Sequence, residues 1–221
     1  MDLRDALRTT GAVRSFTDQP VRPETLAEIL DDARFAPSGG NRQGWKVAVV
    51  SDPAVRRSIG PLMQMVWDEY VDIAASGRTP FAAGVEAGSY TMVGSPANVA
   101  NTLLSGIESV PVVLVVAVDL AKVSMMDKDL ERVAIAGGGS IYPFCWSILL
   151  AARDRGIGGV ITTFLSRKEP EAAPILGLPA DHALCATIFL GYPVKQATRL
   201  SRRPAESFTT VDRFDGDPFH G

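Results

Sequence analysis

The chain has 221 residues, with 22 Lys+Arg against 25 Asp+Glu for a formal charge of −3, and 46% of it is hydrophobic. That balance belongs to a folded protein and excludes a disordered one, while the absence of any Lys/Arg run longer than two residues argues against a nucleic-acid binder. Two histidines and two cysteines (Cys145 and Cys185, both in apolar surroundings) provide neither a disulfide framework nor a multi-His or thiolate metal centre.

In chain order, residues 2–9 read as a short helix that fails at Thr9-Thr10-Gly11. Pro23 opens the next helix, where Leu26, Ile29, Leu30 and Ala33 recur at helical spacing, and it stops before Pro37. The β-branched run Lys46–Ser51 reads as a buried strand, and Pro53 opens a helix containing Ile59, Leu62, Met63 and Val66. Residues 76–102, rich in Gly, Ser, Ala and Thr without periodicity, read as an insertion or lid over a site. Val110–Asp119 is too uniformly apolar for a half-exposed strand.

After three glycines, Ser140–Arg155 reads as the central helix, with Ile141, Phe144, Cys145, Ile148, Leu149 and Ala152 on its core face and Gly156 as its cap. Val160–Thr163 and Ala183–Gly191 read as strands, and Arg167–Leu176 as a short helix. The polar tail from Thr198 reads as an extended arm. Together these elements predict one α+β domain over residues 1–221. The mixed-charge start is unlike a signal peptide, and the apolar runs fall short of the ~20 residues a bilayer needs, so the expectation is a soluble, cytoplasmic protein.

Four segments carry candidate chemistry, and none has a nucleophile-elbow or phosphate-loop pattern. Arg14 and Ser15, after the first helix, either grip a phosphate or lie in a solvated loop. Ala36-Pro37-Ser38-Gly39-Gly40-Asn41-Arg42-Gln43-Gly44-Trp45 concentrates a hydroxyl, amides and backbone N–H groups between helix and strand. Such a set suits the alternating donors and acceptors of a heteroaromatic ring; a plain turn explains the glycines but not the Asn, Gln and Trp. Gly156–Thr163 either lets backbone donors approach a flat ligand or is simply a glycine cap running into a strand. Gly156-Ile157-Gly158-Gly159 follows a helix, which excludes a dinucleotide fingerprint. Arg199-Leu200-Ser201-Arg202-Arg203-Pro204 is a basic cluster in the tail.

In their order and spacing, the Arg14 pattern, the Pro-Ser-Gly-Gly-Asn-x-Gln-x-Trp loop, the Ala-Ala-Arg-x-x-Gly-Ile-Gly-Gly turn and the Gly-Tyr-Pro…Arg-Arg-Pro end resemble the FMN-dependent nitroreductase family over nearly the whole chain. The resemblance implies a mixed central sheet surrounded by helices, in an intertwined homodimer whose C-terminal arm (198–221) crosses to the partner. It implies that Arg14, with Ser15 and with Arg202 or Arg203, holds the FMN phosphate or ribityl chain. Pro37, Ser38, Gly39 and Asn41 then line the isoalloxazine, usually from the partner subunit. Gln43 meets its carbonyl edge or the ribityl chain, and Gly159, Ile161 and Thr162 lie at the turn that offers backbone N–H groups to the ring.

The implied activity is ping-pong transfer from NADH or NADPH to small electron-poor acceptors such as nitroaromatics, quinones or activated alkenes. It needs no side-chain acid, and no catalytic residue is assigned. Neither metal, membrane nor nucleic acid enters it. Alternatives are a specialised flavin reaction, such as flavin fragmentation or reductive dehalogenation, or a flavin-sequestering protein without turnover. The chain departs from the family at Gly11 and Ala12, where relatives usually carry an Arg and a Ser, at Trp146-Ser147, where Gln-Asn is frequent, and at Gly44, in place of a common Pro.

Overall fold

The computed structural model describes residues 1–83 and 101–220; most of the expected lid, 84–100, lies outside them. Helix α1 (Leu3–Thr9) starts where the Asp2 carboxylate accepts from the Arg4 N–H at 2.7 Å. Helix α2 (Pro23–Ala33) uses Pro23 in its first turn, where the missing N–H costs nothing, and buries Ile29 and Ala33. Strand β1 (Trp45–Val49) follows, then α3 (Pro53–Ala75), capped by Asp52, whose side chain accepts from the Ala54 N–H. After the short α4 (Thr102–Ser105) come β2 (Val112–Asp119) and α5 (Tyr142–Asp154). The remaining elements are β3 (Gly158–Thr162), α6 (Phe164–Arg167), α7 (Glu169–Leu176) and β4 (His182–Gly191).

The strands form one sheet in the order β1-β2-β4-β3, and all three pairings are antiparallel. Among the described residues, the mixed character expected of the sheet is confined to a parallel bridge from Ala12 to Gly159. The central strands β2 and β4 are buried on both faces, which explains why they read as continuous apolar runs. On one face, α2 and α5 pack Ile29, Phe144, Ile148 and Ala152 against Leu114, Val116, Ile188 and Leu190. On the other, Ile59 and Met63 of α3, with Leu103, Leu104 and Leu165, cover Val113, Val115 and Phe189.

Three expectations need correction. Strand β1 is not buried: among the described residues it pairs with β2 alone, and Lys46, Ala48 and Val49 are exposed. Its β-branched composition signals a strand but not its place in the sheet. The helix expected over 167–176 is present but starts at Glu169, with Pro170 in its first turn, and Arg167 instead closes the short α6 before it. The tail is exposed but not extended throughout. A bridge between Thr210 and Pro218 folds it back on itself, supported by Val211 N–H to Asp217 O at 2.9 Å.

The end of α5 matches its prediction in detail. Gly156 (φ 73°) donates to Arg153 O at 3.1 Å and Ile157 donates to Ala152 O at 2.9 Å, a paired closure that only a left-handed residue permits easily. In β4, Val116 faces Ala186 but Ala117 faces Leu184, so Cys185 is an extra residue in the ladder. Glu169 Oε2 accepts the Leu184 N–H at this bulge, at 2.5 Å.

Candidate functional site

Arg14 is placed by the sheet. Val13 N–H donates to Gly159 O at 2.9 Å, so residues 12–13 run along the outer edge of β3 and deliver Arg14 just beyond it. Arg14 and Ser15 line a polar cavity of about 190 Å³ together with Thr102, Ser109 and the backbone of Gly106 and Val110. Among the described residues Arg14 has no carboxylate partner, and the cavity adds three hydroxyls, a set that suits a phosphate.

Sequence reasoning missed Thr102 and Ser109; Thr102 lies in the stretch read as a lid. It also missed Arg56. This buried guanidinium donates to Val50 O at 2.7 Å, Val110 O at 2.6 Å and Glu108 O at 3.0 Å, fixing the Ser109–Val110 wall of the cavity. Burial lowers its pKa from the usual arginine value.

Strand backbone groups alternate between the two edges, so β3 can be read residue by residue. Gly159 turns its carbonyl outward to Val13. Ile161, two residues on, therefore also turns its N–H to the open edge, whereas the Thr162 amide lies on the β4 side, opposite Thr187. Of the two, Ile161 is the one free to serve a ligand. At Gly159 an added Cβ would lie 2.5 Å from both Leu190 Cδ2 and Phe189 O, so its small size serves packing.

The second group gathers around a 3-10 turn, Gly39–Asn41. Gly40, Asn41 and Gln43 all have positive φ (61°, 52° and 47°). Such backbone is costly for a residue like Gln and persists only where neighbouring contacts over-determine it, a situation concentrated at functional sites. Here the Gln43 N–H donates to Ser38 Oγ at 3.0 Å and the Gly39 N–H to Ser140 Oγ at 3.0 Å, while Arg42 Nη1 donates to Ser124 Oγ at 2.6 Å. Trp45 anchors the loop's exit by stacking on Phe144, with centroids 4.5 Å apart. Gln43 Nε2 donates to Asn41 Oδ1 at 3.0 Å. Both residues are exposed, and that bond uses only the amide donor of Gln43 and the amide oxygen of Asn41. Pro37 and Gly39 are also exposed, and Ser38 is half-buried.

The two groups do not meet within one chain. Trp45 is level with Val118 and Ile161 with Leu114, by way of Ile188. Four residues along β2 and three strand spacings across the sheet separate them by roughly 20 Å. Arg202 and Arg203 are exposed in the tail, and Arg202 donates to Ser201 O. The root of the tail is fixed beside the Arg14 segment: Val194 N–H donates to Ser15 O, and Leu200 occupies the space beside Gly11, where a Cβ would lie 2.9 Å from Leu200 Cδ2. The glycine at position 11 is what admits Leu200.

The "Nitroreductase family" model matches residues 7–192. The chain is 27% identical to the nitrobenzene nitroreductase of Ectopseudomonas oleovorans over 93% of its length and 95% of that protein's. It is 28% identical to the 5,6-dimethylbenzimidazole synthase of Rhodospirillum rubrum, covering 87% of this chain and 86% of that one. Its fold superposes on the NADPH:FMN oxidoreductase of Vibrio harveyi, solved in complex with NAD+, with a TM-score of 0.66 at 19% identity, over 95% of this chain and 76% of the other.

Proposed function

Because the chain belongs to the nitroreductase family and is an NAD(P)H-dependent oxidoreductase, we propose that it binds FMN in a site shared between two copies and uses NADH or NADPH to reduce electron-poor acceptors such as nitroaromatics, quinones or activated alkenes. The observation that carries this reading is the division of the site residues into two groups roughly 20 Å apart on one sheet. One group has the cation and hydroxyls for a phosphate and the other has the amides for a ring edge. A homodimer that sets one group against the partner's other group completes both. The edge of β1, unpaired among the described residues, and the exposed rings of Phe35, Tyr142, Trp146, Phe208 and Phe214 are compatible with such a partner.

FMN, when bound, supplies the two-electron chemistry. Arg14, with Ser15, Thr102 and Ser109, holds the phosphate, and Arg202 and Arg203 add charge from the tail. The Ile161 N–H, turned away from β4, would face the bound ring as a preorganised donor. Pro37, Ser38 and Gly39 form the wall against which the ring lies, while Asn41 and Gln43 orient it. No side-chain acid is required, and water or a Tyr or Ser hydroxyl would supply the proton. No helix among the described residues is long and apolar enough to cross a membrane, and we place the enzyme in the cytoplasm, where its nucleotide donors are.

Anaerobic addition of NADH, and separately of NADPH, to FMN-loaded protein tests the reading. Rapid loss of the flavin's visible absorbance supports it. Persistent colour with FMN still bound replaces it with a flavin-sequestering role. The 28% identity to a dimethylbenzimidazole synthase favours a second reading, flavin fragmentation, in which readmitting oxygen destroys the flavin instead of restoring its colour.

A further inference from the structure

Asp127 is a carboxylate on a surface segment, yet the residue is only 6% exposed. Its oxygens are fully engaged: Oδ2 accepts from the Ile135 N–H at 2.9 Å and from Arg132 Nη1 at 2.6 Å, and Oδ1 accepts from the Ala136 N–H at 3.1 Å. The Ile135 amide, then Arg132, hold the carboxyl down to about 2 against the opposing effect of burial, so the clamp is charged throughout the neutral range.

These bonds close residues 127–136 into a ring and bring its two ends together. Just before the ring lies Ser124, and just after it comes the 3-10 turn Ala136–Ser140. Gly137 in that turn presses so closely on the other end that a Cβ there would lie 2.6 Å from Met125 Cε and 2.9 Å from Val123 Cγ1. Ser124 and Ser140 are the two hydroxyls that hold Arg42 and the Gly39 N–H. The left-handed turn at 40–43 is thus braced from two points whose spacing is set elsewhere.

We propose that Asp127 is a positioning residue for the loop 38–43: by tying the ends of residues 127–136 it fixes the spacing of Ser124 and Ser140, and through them the backbone that presents Asn41 and Gln43. This rests on the reading of that loop as a flavin contact. The Asp127 carboxylate accepts on both of its oxygens, whereas an amide in the same place accepts on one atom only and turns its NH2 against a backbone or guanidinium donor at the other.

The test is FMN affinity, read by quenching of flavin fluorescence on the purified full chain, with the melting temperature of the flavin-free protein as a separate reading. Asp127→Asn should weaken FMN binding about tenfold, and the double variant Ser124→Ala/Ser140→Ala by a similar factor. All three changes together should weaken it no further than the larger of the two, because they act along one line of contacts. Effects that multiply overturn the proposal. So does wild-type affinity in the serine double variant, a result that stands even if Asp127→Asn fails to fold. A lower melting temperature in Asp127→Asn with unchanged affinity also overturns it, by reducing Asp127 to a structural clamp. Wild-type protein that takes up no FMN removes the flavin reading and this proposal together, whereas normal uptake beside an unaffected Asp127→Asn removes the proposal alone.

Discussion

The strand-edge group around Arg14 is held by main-chain bonds, Val13 to Gly159 and Val194 to Ser15, whereas the loop around Asn41 is held by the hydroxyls of Ser38, Ser124 and Ser140. A main-chain ladder makes no use of side-chain hydrogen bonds, so beyond the small size required at Gly158 and Gly159 it leaves side-chain identity open. A loop braced by side chains in left-handed backbone has no such freedom. Its residues must be the right ones, and it is correspondingly easy to recognise in sequence.

The most severe way to break this comparison is to separate the groups genetically. At limiting FMN, Arg14→Ala and Asn41→Ala chains should each lose most of their activity alone. A mixture allowed to exchange subunits should recover about a quarter of wild-type activity, because half the dimers carry one intact site of two. Heterodimers seen by mass spectrometry without recovered activity would show that the groups do not share a site.

Arg14→Ala on its own should remove a charge-assisted contact of ~1.5–3 kcal/mol and weaken FMN retention by about ten- to a hundredfold, measured by equilibrium titration. Flavin occupancy that survives dialysis would detach Arg14 from the phosphate. Gly159→Ala sharpens the ladder side of the contrast. Its Cβ would meet Phe189 O and Leu190 Cδ2 at 2.5 Å, and overpacking of this kind lowers stability by about 1–3 kcal/mol in thermal melts.

The smallest expected effect concerns the thiols, which belong to neither group. Burial pushes Cys145 up to about 12 and Cys185 to about 11, so both stay protonated and should not react with a thiol reagent in the folded protein at pH 8. Because these pKa values are raised on folding, their contribution is complete below about pH 9 and is lost as the pH climbs toward 11–12. The melting temperature should accordingly fall across that alkaline window and not below it.

The elements legible in sequence were those whose local pattern and tertiary setting agree. The core face of α5 falls where helical spacing puts it, β2 is buried on both faces as its unbroken apolar run implies, and Gly156 caps its helix. The exposure of β1 was not legible, since Val47-Ala48-Val49 spells a strand equally well at the centre of a sheet or at its margin. In the candidate site, Arg14 and the 38–43 loop announce themselves through rare residue combinations. Thr102, Ser109 and Arg56 do not, because a hydroxyl or a buried guanidinium acquires meaning only from neighbours remote in the chain. The packing of Gly158-Gly159 against Val13, Leu149 and Leu190 is likewise a fact about other segments.

The irregularity at Cys185 has a wider consequence for how the domain is assembled. An unbroken pleat would send Leu184 and Ala186 toward the same layer. With one extra residue between them, Ala186 joins the layer of α5 and Leu184 that of α3. The same offset leaves the Leu184 amide without a place in the ladder and hands it to Glu169, so α7 is moored to the sheet by the bond that the misfit frees. Deleting Cys185 would restore a regular strand and remove that bond, leaving α7 held by the packing of Ala172, Ile175 and Leu176.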